Sequence, residues 1–268
     1  MIDSPYLVAP GKKVDLTRWA TDDTGSFTDK LQARPVVKRN IKKLIKMQEL
    51  LYASSSHALL IVLQAMDAGG KDGAIAHVFR GVNPQGCNVT SFKVPNSEEL
   101  SHDYLWRYHI ACPRRGMIGI FNRSHYESVL VERVHKLVPH KIWAKRYDQL
   151  NDFERMLTAE RTVILKFFLH ISKSEQKKRF QARLRDQSRH WKFSPADLAE
   201  RKYWDDYQEA FADALHHCST DHAPWFIVPS DHKWFRNWVL SDTIVRTLEK
   251  LDMKYPKAPP GLDKVKVR

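Results

Sequence analysis

At 268 residues, 43% hydrophobic and 28% charged, the chain can bury one large core, and its longest apolar run, around Leu59 to Leu63, falls far short of a membrane-spanning helix. A formal net charge of +13 asks for an anionic partner, whether nucleic acid, an acidic membrane surface or a phosphate-rich small molecule. Cys87, Cys112 and Cys218 stand alone, without a CxxC pair or zinc spacing, which excludes a zinc module and fits a reducing cytoplasm.

The N-terminus lacks the basic start and apolar stretch of a secretory signal. Residues 1–27 are polar and carry Pro5, Pro10, Gly11 and Gly25, so an irregular arm is expected. From Thr28 to about Ala53, Ile41, Leu44, Ile45, Leu51 and Tyr52 form an apolar stripe between lysines and arginines, predicting a long helix laid on the core. Ala58 to Leu63 reads as a buried strand. It runs into Gln64-Ala-Met-Asp-Ala-Gly-Gly-Lys-Asp-Gly73 and then a helix ending near Arg80. Gly81 to Gly86 is a turn, and Cys87 to Phe92 a second strand. A helix opening at Ser97 should include Leu105 and Trp106. Gly116 to Phe121 is a third strand, with a helix from about Ser124 to Val134.

Another helix is expected to start at Asn151. Thr162 to Leu169 and Trp225 to Pro229 are the last strands, and a helix follows from about Lys233 to Leu251. Five strands alternating with helices predict an α/β fold with a parallel sheet covered on both faces. The expected organisation is an arm and helix over 1–57, an α/β core over 58–252 and a tail over 253–268. Ser172 to Trp191 stands apart: seven lysines and arginines face two acids, with few apolar anchors. It reads either as a solvated basic helix or as a lid that closes over an anion.

Strand, glycine turn, lysine and helix make a phosphate loop, because the turn amides and the helix N-terminus together attract phosphate. The match to a Walker A loop is imperfect: Ala65 stands at the first glycine position and Asp72 where Ser or Thr is usual. Ala68, Gly69, Gly70, Lys71, Asp72 and Gly73 form the expected cradle, with Lys71 neutralising phosphate charge. A carboxylate beside phosphate repels it unless a divalent cation lies between, so Asp67 is assigned to a metal. Asp72 either joins it or caps the helix. At the end of the third strand, Asn122 would orient water or phosphate, Arg123 would bind phosphate with its planar fork, and Glu127 either faces the same cleft or is a surface charge. Arg80, Arg107, Lys93 and Arg115 add positive charge near the expected cleft, and Trp106, Tyr126 and Trp143 could stack on a base.

Taken together, the Gln64–Gly73 stretch, Asn83-Pro-Gln-Gly86, Trp106-Arg-Tyr-His109 with Pro113 and Gly116, Phe121-Asn-Arg-Ser-His-Tyr-Glu127, Phe168 to Gln176 and Ala223 to Lys233 resemble the polyphosphate kinase family 2. The likeness runs from about residue 30 to residue 250. It implies a P-loop kinase fold like that of thymidylate kinase, with the helical lid over about 172–191. It also implies phosphoryl transfer between inorganic polyphosphate and adenine or guanine nucleotides, with Mg²⁺ or Mn²⁺. By the same resemblance, Asp67, Lys71, Asp72, Asn122 and Arg123 form the site, and Arg179 and Arg183 are phosphate contacts of the lid. Much of the family has Asp-Arg-Ser where this chain has Asn122-Arg-Ser, and the form here resembles the subgroup acting on both nucleoside mono- and diphosphates. The family implies a cytoplasmic dimer or tetramer, for which the 28–53 helix could supply apolar surface. No specific nucleic acid and no membrane insertion are expected. An ATP-dependent nucleoside or nucleotide kinase and a non-enzymatic nucleic-acid-binding module are the rival readings.

Overall fold

A computed structural model describes residues 3–262 and residue 265. Its helices are α1 (Lys30–Ser54), α2 (Lys71–Val78), α3 (Ser97–Ser101), α4 (Trp106–Ile110), α5 (Val131–Val134), α6 (His140–Ala159), α7 (Lys173–Arg185), α8 (Pro195–Ala199), α9 (Trp204–Cys218) and α10 (Lys233–Glu249). Its strands are β1 (Ala58–Gln64), β2 (Cys87–Ser91), β3 (Ile118–Asn122), β4 (Thr162–His170) and β5 (Trp225–Pro229). They form one sheet in the order β2-β3-β1-β4-β5, with every pairing parallel.

All seven residues of β1 are buried, as a central strand covered on both faces requires. Alternation sorts them: Leu60 and Val62 face the layer of α6 and α9, while Leu59, Ile61 and Leu63 face α1, α2 and α10. From β1 the chain runs out to β2 at one edge, whereas from the adjacent β3 it crosses to β4 on the other side of β1. The crevice beyond the carboxyl ends of β1 and β3 is therefore where an open α/β sheet binds ligands, and the glycine turn lies there.

Several expected boundaries move. The arm is irregular but packed: Val8 N donates to Trp225 O at 2.9 Å and Ile227 N to Tyr6 O at 2.9 Å, a single antiparallel bridge on the free edge of β5. Tyr6, Val8, Val14 and Leu16 are buried. The α1 helix starts one turn-cap later than expected because Asp29 caps it, accepting from Leu31 N at 2.6 Å and Gln32 N at 3.0 Å. Ala33, Val37, Leu44 and Leu51 are buried where α1 packs along α10, while Ile41 and Ile45 of the expected stripe are half-buried and Tyr52, like Leu31, is exposed.

The single helix expected from Ser97 through Trp106 is two short ones. Asn96 and Glu99 close a capping box for α3, and α4 begins only after the extended His102 and an Asp103 turn. The expected helix at Ser124 is a 3₁₀ turn, His125–Ser128, followed by the four residues of α5. The α6 helix begins at His140 after Pro139, not at Asn151. The basic segment is anchored, because Gln176, Arg179 and Phe180 of α7 are buried, and it continues through short helical turns to Tyr203.

Candidate phosphate-transfer site

Each carbonyl of the glycine turn is engaged by a donor. Lys71 Nζ donates to Ala65 O at 3.0 Å, Gly69 N to Met66 O at 2.9 Å, and Gln176 Nε2 to Asp67 O at 2.8 Å. Arg179 Nη1 donates to Ala68 O at 3.1 Å and Gly69 O at 2.9 Å, and Arg236 Nη1 to Gly70 O at 3.1 Å. Six consecutive carbonyls, Ala65 to Gly70, thus have donors. Ala74 N is the first amide of α2 to close a helical turn, on Gly70 O at 2.9 Å. The amides before it have no partner within the helix, and their positive ends are what phosphate seeks.

Two glycines are required by close approach. A Cβ on Gly69 would lie 2.5 Å from Ala65 Cβ and 2.7 Å from Met66 O. Gly70 has φ +99°, and a Cβ there would meet Arg236 Nη1 at 2.3 Å.

Lys71 opens α2 beside this cradle. Burial, then the nearby Arg123, push its ammonium pKa down to about 8, against the pull of Asp67, Glu127 and Asp72. A cation held that low gains strongly from a bound anion. The adjacent turn after β3 supplies Arg123, at φ +64°, whose Nη2 donates to Asp67 Oδ1 at 2.8 Å and whose Nη1 lies 4.0 Å from Glu127 Oε2. Burial raises the Glu127 pKa against the pull of Arg123 and Lys71. Asp67, Lys71, Arg123 and Glu127 therefore meet at one place. Asp67, Arg123 and Glu127 line a cavity of about 340 Å³ beside the loop. A larger cavity, about 540 Å³, opens around Arg133 and Trp143 but touches neither the loop nor Arg123, so the chemistry belongs to the smaller one.

Other expected site residues sit elsewhere. Tyr126 is corrected outright: it is fully buried, its hydroxyl donating to Glu154 Oε1 at 2.9 Å and accepting from Lys166 Nζ at 2.8 Å, so no base can stack on it. Trp106 stacks on His102 at 4.0 Å, and Trp143 lies under Arg133 in the other cavity. Asp72 does not cap α2, whose cap is Gly70. Its carboxylate accepts from Asn122 Nδ2 at 2.8 Å and pairs with Lys192 at 3.3 Å.

Arg80 lies beyond the far end of α2, about 13 Å along the axis from Lys71, and is not part of the cradle. Arg107 pairs with Glu99, and Arg115 pairs with Glu160 beside the start of β1, at the wrong end of the sheet. Arg179 is buried against loop carbonyls and is not open to phosphate in this arrangement, while Arg183 is half-buried, with Nη1 facing Asp197 at 3.7 Å and Lys192 O. The sequence reading missed Arg236. It is buried on α10, and burial with the adjacent Arg179 lowers its pKa to about 9. It also missed Gln176, Lys192 and the cavity wall of His135, Glu200 and Tyr207.

Among the described residues no three His, Cys, Asp or Glu side chains converge as a complete metal cage. A Mg²⁺ that shares phosphate oxygens needs only one or two carboxylates, and Asp67, with Oδ2 unbonded among the described residues, fits that donor set.

Residues 28–256 match the family model described as polyphosphate kinase 2. An AMP/ADP-polyphosphate phosphotransferase of Meiothermus ruber is 51% identical over 97% of this chain and 98% of its own length. An ADP-polyphosphate phosphotransferase of Rhodopseudomonas palustris is 46% identical over 96% and 93%. A crystal structure of polyphosphate kinase 2 from Arthrobacter aurescens superposes with a TM-score of 0.91 at 38% identity, covering 98% of this chain and 97% of that one. With the loop, the Arg123 turn and the basic segment all in place, the chain belongs to the polyphosphate kinase 2 family.

Proposed function

We propose that this enzyme transfers a phosphoryl group between inorganic polyphosphate and a nucleoside mono- or diphosphate, making ADP from AMP and ATP from ADP. The observation that carries it is the loop whose carbonyls, Ala65 to Gly70, all have donors, leaving the amides and the remaining protons of the Lys71 ammonium to one polyanion. The Meiothermus relative's name supports both acceptors, and the Rhodopseudomonas relative's name the diphosphate.

The reaction is in-line transfer. The acceptor is a phosphate oxygen already anionic at neutral pH, so no strong general base is needed, and catalysis reduces to positioning and charge stabilisation. Lys71 and the α2 amides hold the donor phosphates. Arg123, fixed by Asp67 and Glu127, offers its remaining donors to the transferring group. Mg²⁺ or Mn²⁺ held by Asp67, with Asp72 nearby, would neutralise phosphate charge when bound. The Lys177, Lys178, Arg185 and Arg189 side chains of the basic segment are exposed and suit a chain of phosphates longer than a nucleotide's.

Phosphorus NMR on the protein with polyphosphate, Mg²⁺ and AMP or ADP tests the reading. Growth of the β-phosphate signal of ADP, or of the ATP signals, is expected. Transfer from ATP to AMP with none from polyphosphate would overturn it in favour of an ordinary nucleotide kinase.

A further inference from the structure

Besides Asp67 and Arg123, the cavity beside the loop is lined by a second polar group, in which three residues from different elements lock together. His135 follows α5, Glu200 follows α8, and Tyr207 lies on α9. His135 Nε2 and Glu200 Oε2 are 2.9 Å apart, and Tyr207 Oη is 3.0 Å from the same oxygen. A carboxylate can only accept, so both partners donate. Oε2 is thereby filled twice, while Oε1 has no hydrogen bond among the described residues. All three residues line the cavity, beside apolar walls from Met66, Leu130 and Phe211.

The bonds to one oxygen fix the orientation of the whole carboxylate, so the remaining oxygen is a positioned acceptor on the wall of a cavity that also carries apolar side chains and the polar Gln176 and Asp197. From that geometry we infer that Glu200, oriented by His135 and Tyr207, reads the exocyclic amino group of adenine in the acceptor nucleotide. The inference rests on the proposed phosphate acceptor occupying this cavity. A cavity with apolar walls and a few fixed polar groups is the usual form of a ring-binding site. Adenine presents an N6 amino donor to the free oxygen. Hypoxanthine presents a carbonyl oxygen in its place, and two acceptors facing each other repel.

The charge-assisted contact predicts a preference of at least about tenfold in kcat/KM for AMP over IMP in the wild-type enzyme. Glu200→Gln gives a directional test. His135 and Tyr207 donate, so they hold the amide's oxygen and turn its NH₂ toward the base. That group donates to the hypoxanthine carbonyl and not to an amino group. The preference should then fall to within about threefold or invert toward IMP.

A lid hinge held by the same three residues would instead lose both substrates in equal proportion, and an unchanged AMP-to-IMP ratio in the variant overturns the inference. So does a wild-type enzyme indifferent to the two nucleotides. Tyr207→Phe, which keeps the ring, provides the second variant: it frees Oε2 to one donor and should lower the preference at least threefold, and an unaltered ratio there also counts against the assignment. Calorimetric binding of AMP and IMP to the same three proteins yields the same ratio without turnover. Failure of polyphosphate to donate would therefore refute the proposed reaction alone, and failure of the ratio to move would refute the base reader alone.

Discussion

Replacing Arg179 by Lys tests whether this residue clamps the loop or touches phosphate, the role that the sequence resemblance implied. The guanidinium is 8% exposed and makes five contacts at once: Ala68 O, Gly69 O, Ser230 O, Asp231 O and the Glu175 carboxylate. A lysine ammonium keeps the charge but cannot span loop, β5 terminus and Glu175 from one point. If two charge-assisted hydrogen bonds are lost, at about 1.5–3 kcal/mol each, and water recovers part of the loss, the variant is less stable by about 3 kcal/mol. For a chain of this size that lowers Tm by roughly 6–12 °C. Scanning calorimetry of the ligand-free protein reads it directly. A residue whose task is to touch phosphate has no effect on the empty enzyme. An Arg179→Lys protein within about 1 °C of wild type, but with kcat/KM for polyphosphate reduced a hundredfold, would show that the arginine binds substrate and does not clamp the loop.

Lys71 makes the reaction sensitive to alkali. Its free-enzyme pKa is about 8, so kcat/KM for polyphosphate should fall tenfold per pH unit above that value. Lys71→Arg, which stays charged, should remove this limb from whatever activity remains. Stability moves the other way: the unfolded lysine keeps its proton to about 10.5, so between pH 8 and 10.5 the unfolded chain binds more protons and this group's contribution to stability rises with pH. A pH–rate profile flat to pH 10 would refute the assignment. Beneath the site, Glu154 and Lys166 are both fully buried, and the carboxylate also accepts from His125 at 3.0 Å and from Tyr126. Glu154→Gln strands the ammonium and should cost about 3–5 kcal/mol in urea unfolding, whereas adding Lys166→Met should recover more than half of that loss.

The sheet was legible because its strands are central. β1, β4 and β5 are nearly unbroken apolar runs, and a parallel sheet covered on both faces demands that pattern. The short helices were not. α3, α4 and α5 have four or five residues each, too few to display a helical period, and their limits are set by side-chain caps such as Asn96 and by turns at Asp103 and Pro139. The arm was expected to be irregular because it is polar and carries prolines and glycines. Its two backbone hydrogen bonds to β5 leave no mark on residue choice, and the Tyr6, Val8, Val14 and Leu16 side chains that it buries are too scattered to form a periodic pattern.

The site divides along the same line. Asp67, Lys71 and Arg123 are brought together by local motifs at the ends of β1 and β3, two adjacent strands paired from Leu59–Ile118 to Leu63–Asn122. Whatever reaches the loop from far along the chain was misread or missed. Arg179 was read as a phosphate contact and Arg236 was passed over, yet both are spent on the carbonyls of residues 68–70, over a hundred residues away. Lys192 pairs with Asp72 across a gap of 120 residues. The net charge of +13 therefore overstates what is open to phosphate at the loop. Part of it is structural, engaging the loop carbonyls so that the amides are left to the ligand. Two arginines held beside each other, with the Arg236 pKa lowered by burial and by Arg179, are tolerable only because those carbonyls collect at one place. The strain of that arrangement is met by the loop itself: Gly70 at φ +99° is the position at which a side chain would collide with them.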